Sequence, residues 1–158
     1  MSKVVCPGSF DPITFGHLDI IERASKLFDE VVIAVLVNKT KTTLFSVDER
    51  IEMIKEVTKK FKNVSVDSWS GLLVEYCANN NISMIVKGLR AVSDFDYELQ
   101  MSQINLQLKG IETIFMSTSP VHSFLSSSLV KEIANYGGDV SNYVPAEILS
   151  RLKTRVAR

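Results

Sequence analysis

Short runs rich in β-branched and aliphatic residues alternate along the chain with longer stretches in which apolar positions recur every three or four residues. The runs Lys3–Cys6, Val31–Val37, Val64–Val66, Met84–Val86 and Thr113–Met116 predict five strands. They lack the polar alternation of a half-exposed sheet, so they read as parallel strands covered on both faces. Between them, Leu18, Ile21, Ala24 and Phe28 form one helical stripe, and Tyr97, Met101, Ile104 and Leu108 a second. Ser46-Val47-Asp48-Glu49 has the form of a capping box, in which Ser46 and Glu49 satisfy each other's backbone donors at the start of a helix. Pro145 stands at the head of a last helical segment, Ala146–Arg158. Strands and helices in strict alternation with short connections imply right-handed crossovers, and hence a doubly wound α/β sheet of five parallel strands with helices on both faces. In such a sheet ligands bind outside the carboxyl ends of the strands where the winding reverses. The loops after strands one, two, four and five are therefore the places to look for chemistry.

Composition narrows the function classes. At 158 residues the chain is expected to be one domain, 1–158, long enough to bury a core. Residues 1–79 carry ten basic and eleven acidic side chains and residues 80–158 eight and seven, so no charge shift marks a boundary. Lys+Arg 18 against Asp+Glu 18 gives a formal net charge of zero and argues against a nucleic-acid partner, which requires a basic face. Membrane attachment has no support either, since the longest apolar run, Val31–Val37, is far short of the ~20 residues that cross a bilayer. The start Met-Ser-Lys-Val-Val-Cys lacks the pattern of a signal peptide, and the expected location is cytoplasmic. Cys6 and Cys77 lie in apolar surroundings without metal-ligand spacing and read as buried, reduced thiols.

After the first strand comes Pro7-Gly8-Ser9-Phe10-Asp11-Pro12-Ile13-Thr14-Phe15-Gly16-His17, longer than the ~2–6 residues of an ordinary βα turn. It matches neither the dinucleotide fingerprint GxGxxG nor the phosphate loop GxxxxGK[ST]. It does supply Gly8 for close backbone approach, the Ser9 hydroxyl, and an imidazole, His17, at a helix N-terminus, where anions are favoured. By itself, Gly16-His17 reads more readily as a turn glycine and an ordinary first-turn residue.

Thr14-Phe15-Gly16-His17 resembles the [HT]xGH signature of the nucleotidyltransferase superfamily, and Leu125-Ser126-Ser127-Ser128 resembles its serine-rich turn at the start of a late helix. Lys87-Gly88-Leu89-Arg90-Ala91-Val92-Ser93-Asp94-Phe95-Asp96-Tyr97-Glu98 is similar to the [RK]GLRxxxDFxYE segment of bacterial phosphopantetheine adenylyltransferases. The resemblance runs from Pro7 to Pro145 and implies a Rossmann-like fold. It also implies reversible transfer of the adenylyl group of ATP to 4′-phosphopantetheine, giving dephospho-coenzyme A and pyrophosphate. His17 would be the catalytic residue, binding ATP phosphate oxygens and stabilising the transition state. Ser9, Phe10, Gly88, Leu89, Arg90 and Glu98 would contact ATP, and the segment His122, Ser123, Phe124, Leu125, Ser126, Ser127 and Ser128 would wrap the adenine and reach the phosphates. Ser9, Lys41, Leu73, Lys87 and Asn105 would bind phosphopantetheine. The resemblance further implies a homohexamer, and coenzyme A as a feedback ligand at the same site.

Read residue by residue, several of these positions have plainer roles too. Lys41, in Asn38-Lys39-Thr40-Lys41-Thr42, is by itself a solvated surface charge, and only the family register selects it over Lys39. Leu73 and Asn105 are ordinary core or helix residues, and Ser126–Ser128 also suit N-capping of a helix over Leu129–Tyr136. Lys87 stands where relatives often carry Arg, and His122 where they often carry a larger ring. Asp94, Asp96 and Glu98 do not make a metal site, because residues two apart on a helix point ~200° apart. With no dedicated metal ligands, Mg²⁺ is expected to arrive on ATP phosphate oxygens. The basic residues Arg151, Lys153, Arg155 and Arg158 read as a solvated helix face. The alternatives are a sibling transferase acting on nicotinamide mononucleotide, or on glycerol phosphate with CTP, and a non-catalytic nucleotide-binding module. The last predicts loss of Gly16-His17 or of the late serines, and both are present.

Overall fold

In the computed structural model, which describes residues 1–157, five strands form one sheet. They are β1 Lys3–Gly8, β2 Glu30–Leu36, β3 Val64–Trp69, β4 Met84–Leu89 and β5 Glu112–Ser117, all parallel, in the order β3-β2-β1-β4-β5. Six helices connect and follow them: α1 Phe15–Leu27, α2 Val47–Thr58, α3 Leu73–Asn79, α4 Val92–Lys109, α5 Ser127–Asn135 and α6 Ala146–Val156. The chain winds outward from β1 through β2 to β3, then returns to lay β4 against the free side of β1. The winding therefore reverses between β1 and β4, and their carboxyl ends open the crevice this topology reserves for ligands.

Burial of both faces explains the uninterrupted apolar runs. Ile33 and Val35 of β2 pack with Ile21, Met53 and Ile54 on one side of the sheet, while Val32 and Ala34 pack with Val74 and Cys77 of α3 on the other. Both cysteines are buried and unbonded, and burial pushes the Cys6 thiol up to about 12. The capping box opening α2 is formed: the Ser46 N–H donates to Glu49 Oε2 at 2.8 Å and the Glu49 N–H donates to Ser46 Oγ at 3.2 Å. No described helix is long and apolar enough to cross a membrane.

Three expectations change. The strands run past their apolar cores, because register with β2 carries β1 through Pro7 and Gly8, paired with Ala34 and Val35. The first loop is thus only Ser9–Thr14, the helix starting at Phe15. Secondly, the Tyr97, Met101, Ile104 and Leu108 stripe is not a core face. No residue of α4 is buried, and this stripe lines an apolar cavity opposite Leu72 and Leu73. Thirdly, the basic face of α6 is not merely solvated: Arg151 pairs with Glu52 and Glu56 of α2 at 3.2 and 3.3 Å, and Arg155 pairs with Glu49 and donates to the Leu44 carbonyl at 2.9 Å. Arg158 lies outside the described residues.

Candidate active site

A cavity of about 320 Å³ opens at the carboxyl ends of β1 and β4. Its walls come from the loop after β1, the start of α1, the loop after β2, the end of β4 with the turn into α4, and the start of α5.

The β1 loop is shaped by one unusual residue. Phe10 adopts φ 49°, the left-handed region that non-glycine residues rarely occupy, and turns its ring back into the core, where it is 4% exposed. A Cβ at position 8 would stand 3.1 Å from that ring, so the close approach Gly8 permits is to Phe10. The same ring meets His17 edge-on, with centroids 5.0 Å apart.

His17 is the third residue of α1, and Thr14 is the N-cap. The two close a capping box in which imidazole takes the place usually held by Glu or Gln: the His17 N–H donates to Thr14 Oγ1 at 3.4 Å, and the Thr14 N–H donates to His17 Nδ1 at 3.0 Å. A nitrogen that accepts from a backbone amide carries no proton. In the neutral ring the proton therefore sits on Nε2, leaving that nitrogen as a donor. The ring is held neutral, its pKa lowered to about 4 by burial and secondarily by the nearby Arg90 guanidinium.

The cations on the cavity wall come from separate elements. Lys41 follows β2. Lys87 lies within β4 and pairs with Glu98 of α4 at 3.5 Å, and Arg90 pairs with Asp94 at 3.5 Å. Arg90 also donates from Nη1 to the Leu125 carbonyl at 2.9 Å, joining the β4 turn to the serine-rich turn. A Cβ at Gly88 would stand 3.0 Å from Ile20, so any larger residue at this point of β4 requires Ile20 to shift. In the serine turn, Ser126 is the N-cap of α5, accepting from the Leu129 N–H at 3.1 Å, and Ser127 donates to the Pro12 carbonyl at 2.7 Å. Ser128 is exposed at the cavity wall.

Of the residues singled out from the sequence, Ser9, Phe10, His17, Lys41, Lys87, Gly88, Arg90, Glu98, Leu125, Ser126, Ser127 and Ser128 all line this cavity. Leu73 and Asn105 line the adjoining apolar cavity of about 290 Å³ between α3 and α4, and Lys87 and Glu98 line both. Four residues line neither. The Leu89 carbonyl is occupied by the Thr118 N–H and hydroxyl at 2.9 and 2.8 Å. His122 ends a 3₁₀ turn, Pro120–His122, stacked on Phe15 with centroids 6.3 Å apart. Ser123 Oγ donates back to the Pro120 carbonyl at 3.0 Å, and Phe124 is 56% exposed with its edge on Tyr143. Asp11 and Lys131 also line the cavity without having been singled out from the sequence, and so does Thr14, which entered only as the first residue of the signature and was given no role. The hydroxyl of Thr14, three residues before His17, was the available sign of a cap.

The chemistry of these groups is that of an anion site. The cavity presents N–H, O–H and ammonium donors, while its carboxylates are engaged: Glu98 by Lys87 and Asp11 by Lys131 at 2.9 Å. Asp94 and Glu98 turn to different cations, and among the described residues no three His, Cys, Asp or Glu side chains gather as a metal site.

Residues 5–133 match the model of the cytidylyltransferase-like family. The chain is 61% identical to a phosphopantetheine adenylyltransferase of Frankia casuarinae, covering all of both chains. It is 59% identical to one of Streptomyces coelicolor, covering 99% of this chain and 98% of the relative. Its fold is similar to that of Plasmodium falciparum nicotinic acid mononucleotide adenylyltransferase, solved in complex with NaAD, with a TM-score of 0.69 at 13% identity over 99% of this chain and 95% of that one.

Proposed function

The chain belongs to the cytidylyltransferase-like family and, within it, to the phosphopantetheine adenylyltransferases, and on that premise we propose how its two adjoining cavities carry out the transfer. ATP occupies the donor-lined cavity with its phosphates over His17 and Arg90. The acceptor's phosphate sits between Lys41 and Lys87, and its pantetheine arm lies in the apolar cavity against Leu73 and Asn105. The observation that carries this reading is the position of Lys87 and Glu98 on the wall shared by both cavities, one rich in phosphate donors and the other apolar.

An oxygen of the acceptor phosphate attacks the α-phosphorus of ATP, a new P–O bond forms in line, and the bond to the bridging oxygen breaks to release pyrophosphate. The attacking oxygen is already anionic, so no covalent intermediate and no general base is required. Catalysis rests on placing two anions together and stabilising the charge that builds up. His17 Nε2–H donates to a non-bridging oxygen of the α-phosphate, where charge grows in the transition state. Its neutral state suits this task, since the proton it offers is held in place by the Thr14 bond on the opposite nitrogen. Arg90 holds the leaving phosphates, Ser128 and the α5 N-terminus meet the nucleotide, and Glu98 orients Lys87. Mg²⁺ would be held by the phosphate oxygens of ATP rather than by side chains of this chain, and would supply neutralisation of their charge. The exposed apolar side chains of α4 that line neither cavity, among them Leu99 and Leu106, favour self-association, and a homohexamer is the assembly that the family resemblance implies.

The test is pyrophosphate release from ATP and Mg²⁺ with a panel of acceptors. Product is expected with 4′-phosphopantetheine and not with nicotinamide mononucleotide or glycerol phosphate, and turnover only with one of the latter overturns the reading. Lys87→Arg should keep kcat within a few-fold and lower KM for the acceptor, because a guanidinium grips phosphate with two parallel bonds where an ammonium is a point charge. A large loss of kcat would instead show that the cavity depends on lysine's shape.

A further inference from the structure

Asp11 takes no part in the steps above, yet it is the most heavily bonded carboxylate of the cavity. It is 3% exposed, and its oxygens accept from the backbone N–H groups of Leu44 at 2.8 Å and Phe45 at 2.9 Å and from the Lys131 ammonium at 2.9 Å. These partners lie on two segments far away in sequence: the base of the loop that carries Lys41, and the helix whose first turn carries Ser126–Ser128. Asp11 itself belongs to the loop that carries Ser9 and Phe10.

The neighbouring bonds tighten the same junction. Arg50 of α2, also 3% exposed, donates to the Ser9 carbonyl at 2.7 Å and to the Ser46 carbonyl at 3.3 Å. Arg155 donates to the Leu44 carbonyl at 2.9 Å and lies over the Phe45 ring, 4.9 Å from its centroid. Leu44 is thus held at both its N–H and its carbonyl. Asn38–Thr42, by contrast, is mostly exposed and bonded within itself, with Thr40 N–H and Oγ1 both on Asn38. The base of the loop that carries Lys41, three residues on, is thus tied through the Asp11 carboxylate to the loop that carries Ser9.

Burying a carboxylate is costly unless it is fully bonded, and here its bonds also satisfy two backbone N–H groups that an apolar residue would leave without an acceptor. A buried charge in the wall of a substrate cavity, bonded to two distant segments from a third, fixes their register as well as holding them together. We propose that Asp11 is a positioning residue for the acceptor phosphate, acting through Leu44 and Phe45 on Lys41. The proposal rests on the reading of Lys41 as an acceptor-phosphate ligand.

Asp11→Asn tests it. The amide keeps the shape but must turn its NH₂ toward one of three donors, so at least one of these bonds is lost. With the full chain, KM for 4′-phosphopantetheine is expected to rise about 10-fold or more while KM for ATP stays within about threefold, and the acceptor effect should fall below about twofold in a Lys41→Ala background, since residues acting as one unit are non-additive. An unchanged acceptor KM overturns the proposal, and so does an effect that persists undiminished without Lys41, which would mark Asp11 as a general stabiliser. If Asp11→Asn does not fold, wild-type amide exchange decides the matter. Coupling is reciprocal, so 4′-phosphopantetheine should slow exchange at Leu44 and Phe45 by about 10-fold, and no slowing in a protein that binds the acceptor overturns the idea. Wild-type protein that neither binds nor adenylylates 4′-phosphopantetheine contradicts the functional reading instead.

Discussion

Replacing His17 by alanine should lower kcat by about 10²–10³-fold with KM for ATP changed only a few-fold, the loss typical of a single donor aimed at developing charge. The expectation follows from where the proton sits. With Nδ1 accepting from Thr14, the only donor the ring can offer is Nε2–H, and the bond it makes strengthens as the α-phosphate gains charge. Steady-state pyrophosphate release at saturating acceptor reads the effect directly. A rise in KM with kcat intact would instead mean that His17 binds ground and transition states equally. The pH dependence is a second signature. Because the ring in the free protein has its pKa lowered to about 4, kcat/KM should show no inflection from His17 around pH 6.5, where an ordinary histidine changes charge. Stability follows the same shift: the unfolded chain takes up this proton first, so His17 weakens the fold as pH falls from about 6.5 toward 4 and has no such effect above that window.

Arg90→Ala has the second-largest expected consequence, a fall in kcat/KM for ATP of roughly 10–150-fold, the equivalent of one charge-assisted hydrogen bond of about 1.5–3 kcal/mol. Little of this comes from the pair with Asp94, since both side chains are more than a third exposed and such pairs contribute little. The main loss is the bond to the Leu125 carbonyl, which ties the β4 turn to the serine turn, together with the phosphate contact proposed for the guanidinium. Lysine at this position should not restore activity, because one ammonium cannot hold a carbonyl and a phosphate in the same fixed fork. Arg90→Ala should also raise the His17 pKa, though not to its ordinary value, since burial is the larger cause of the depression. Imidazole resonances followed through a pH titration would read that change. An unchanged KM and kcat for ATP would remove Arg90 from the nucleotide site.

The apolar runs were enough to find all five strands, but not their ends. Pro7-Gly8, Asp67-Ser68-Trp69 and Lys87-Gly88-Leu89 have no strand-like pattern and are extended only because neighbouring strands hold them in register. The α4 stripe misled because periodicity reports that a helix has an apolar side, not what that side meets, and here it meets a cavity. Most of the site was legible because its residues lie in contiguous motifs at the ends of strands. Asp11 was not, as its partners are 33, 34 and 120 residues distant and nothing local marks it out. The tautomer of His17 was hidden for a similar reason, depending on one backbone amide whose direction only the helix start defines.

The pairing of Lys87 with Glu98 and of Arg90 with Asp94 bears on how a phosphate enters the crevice. Each of these two cations has a single carboxylate beside it, whereas Lys41 on the same wall is paired with none among the described residues. The pair of Arg90 with Asp94 is partly exposed and weak, so it holds the guanidinium loosely at the crevice rather than locking it there, and a phosphate that offers paired oxygens can take the carboxylate's place at little cost.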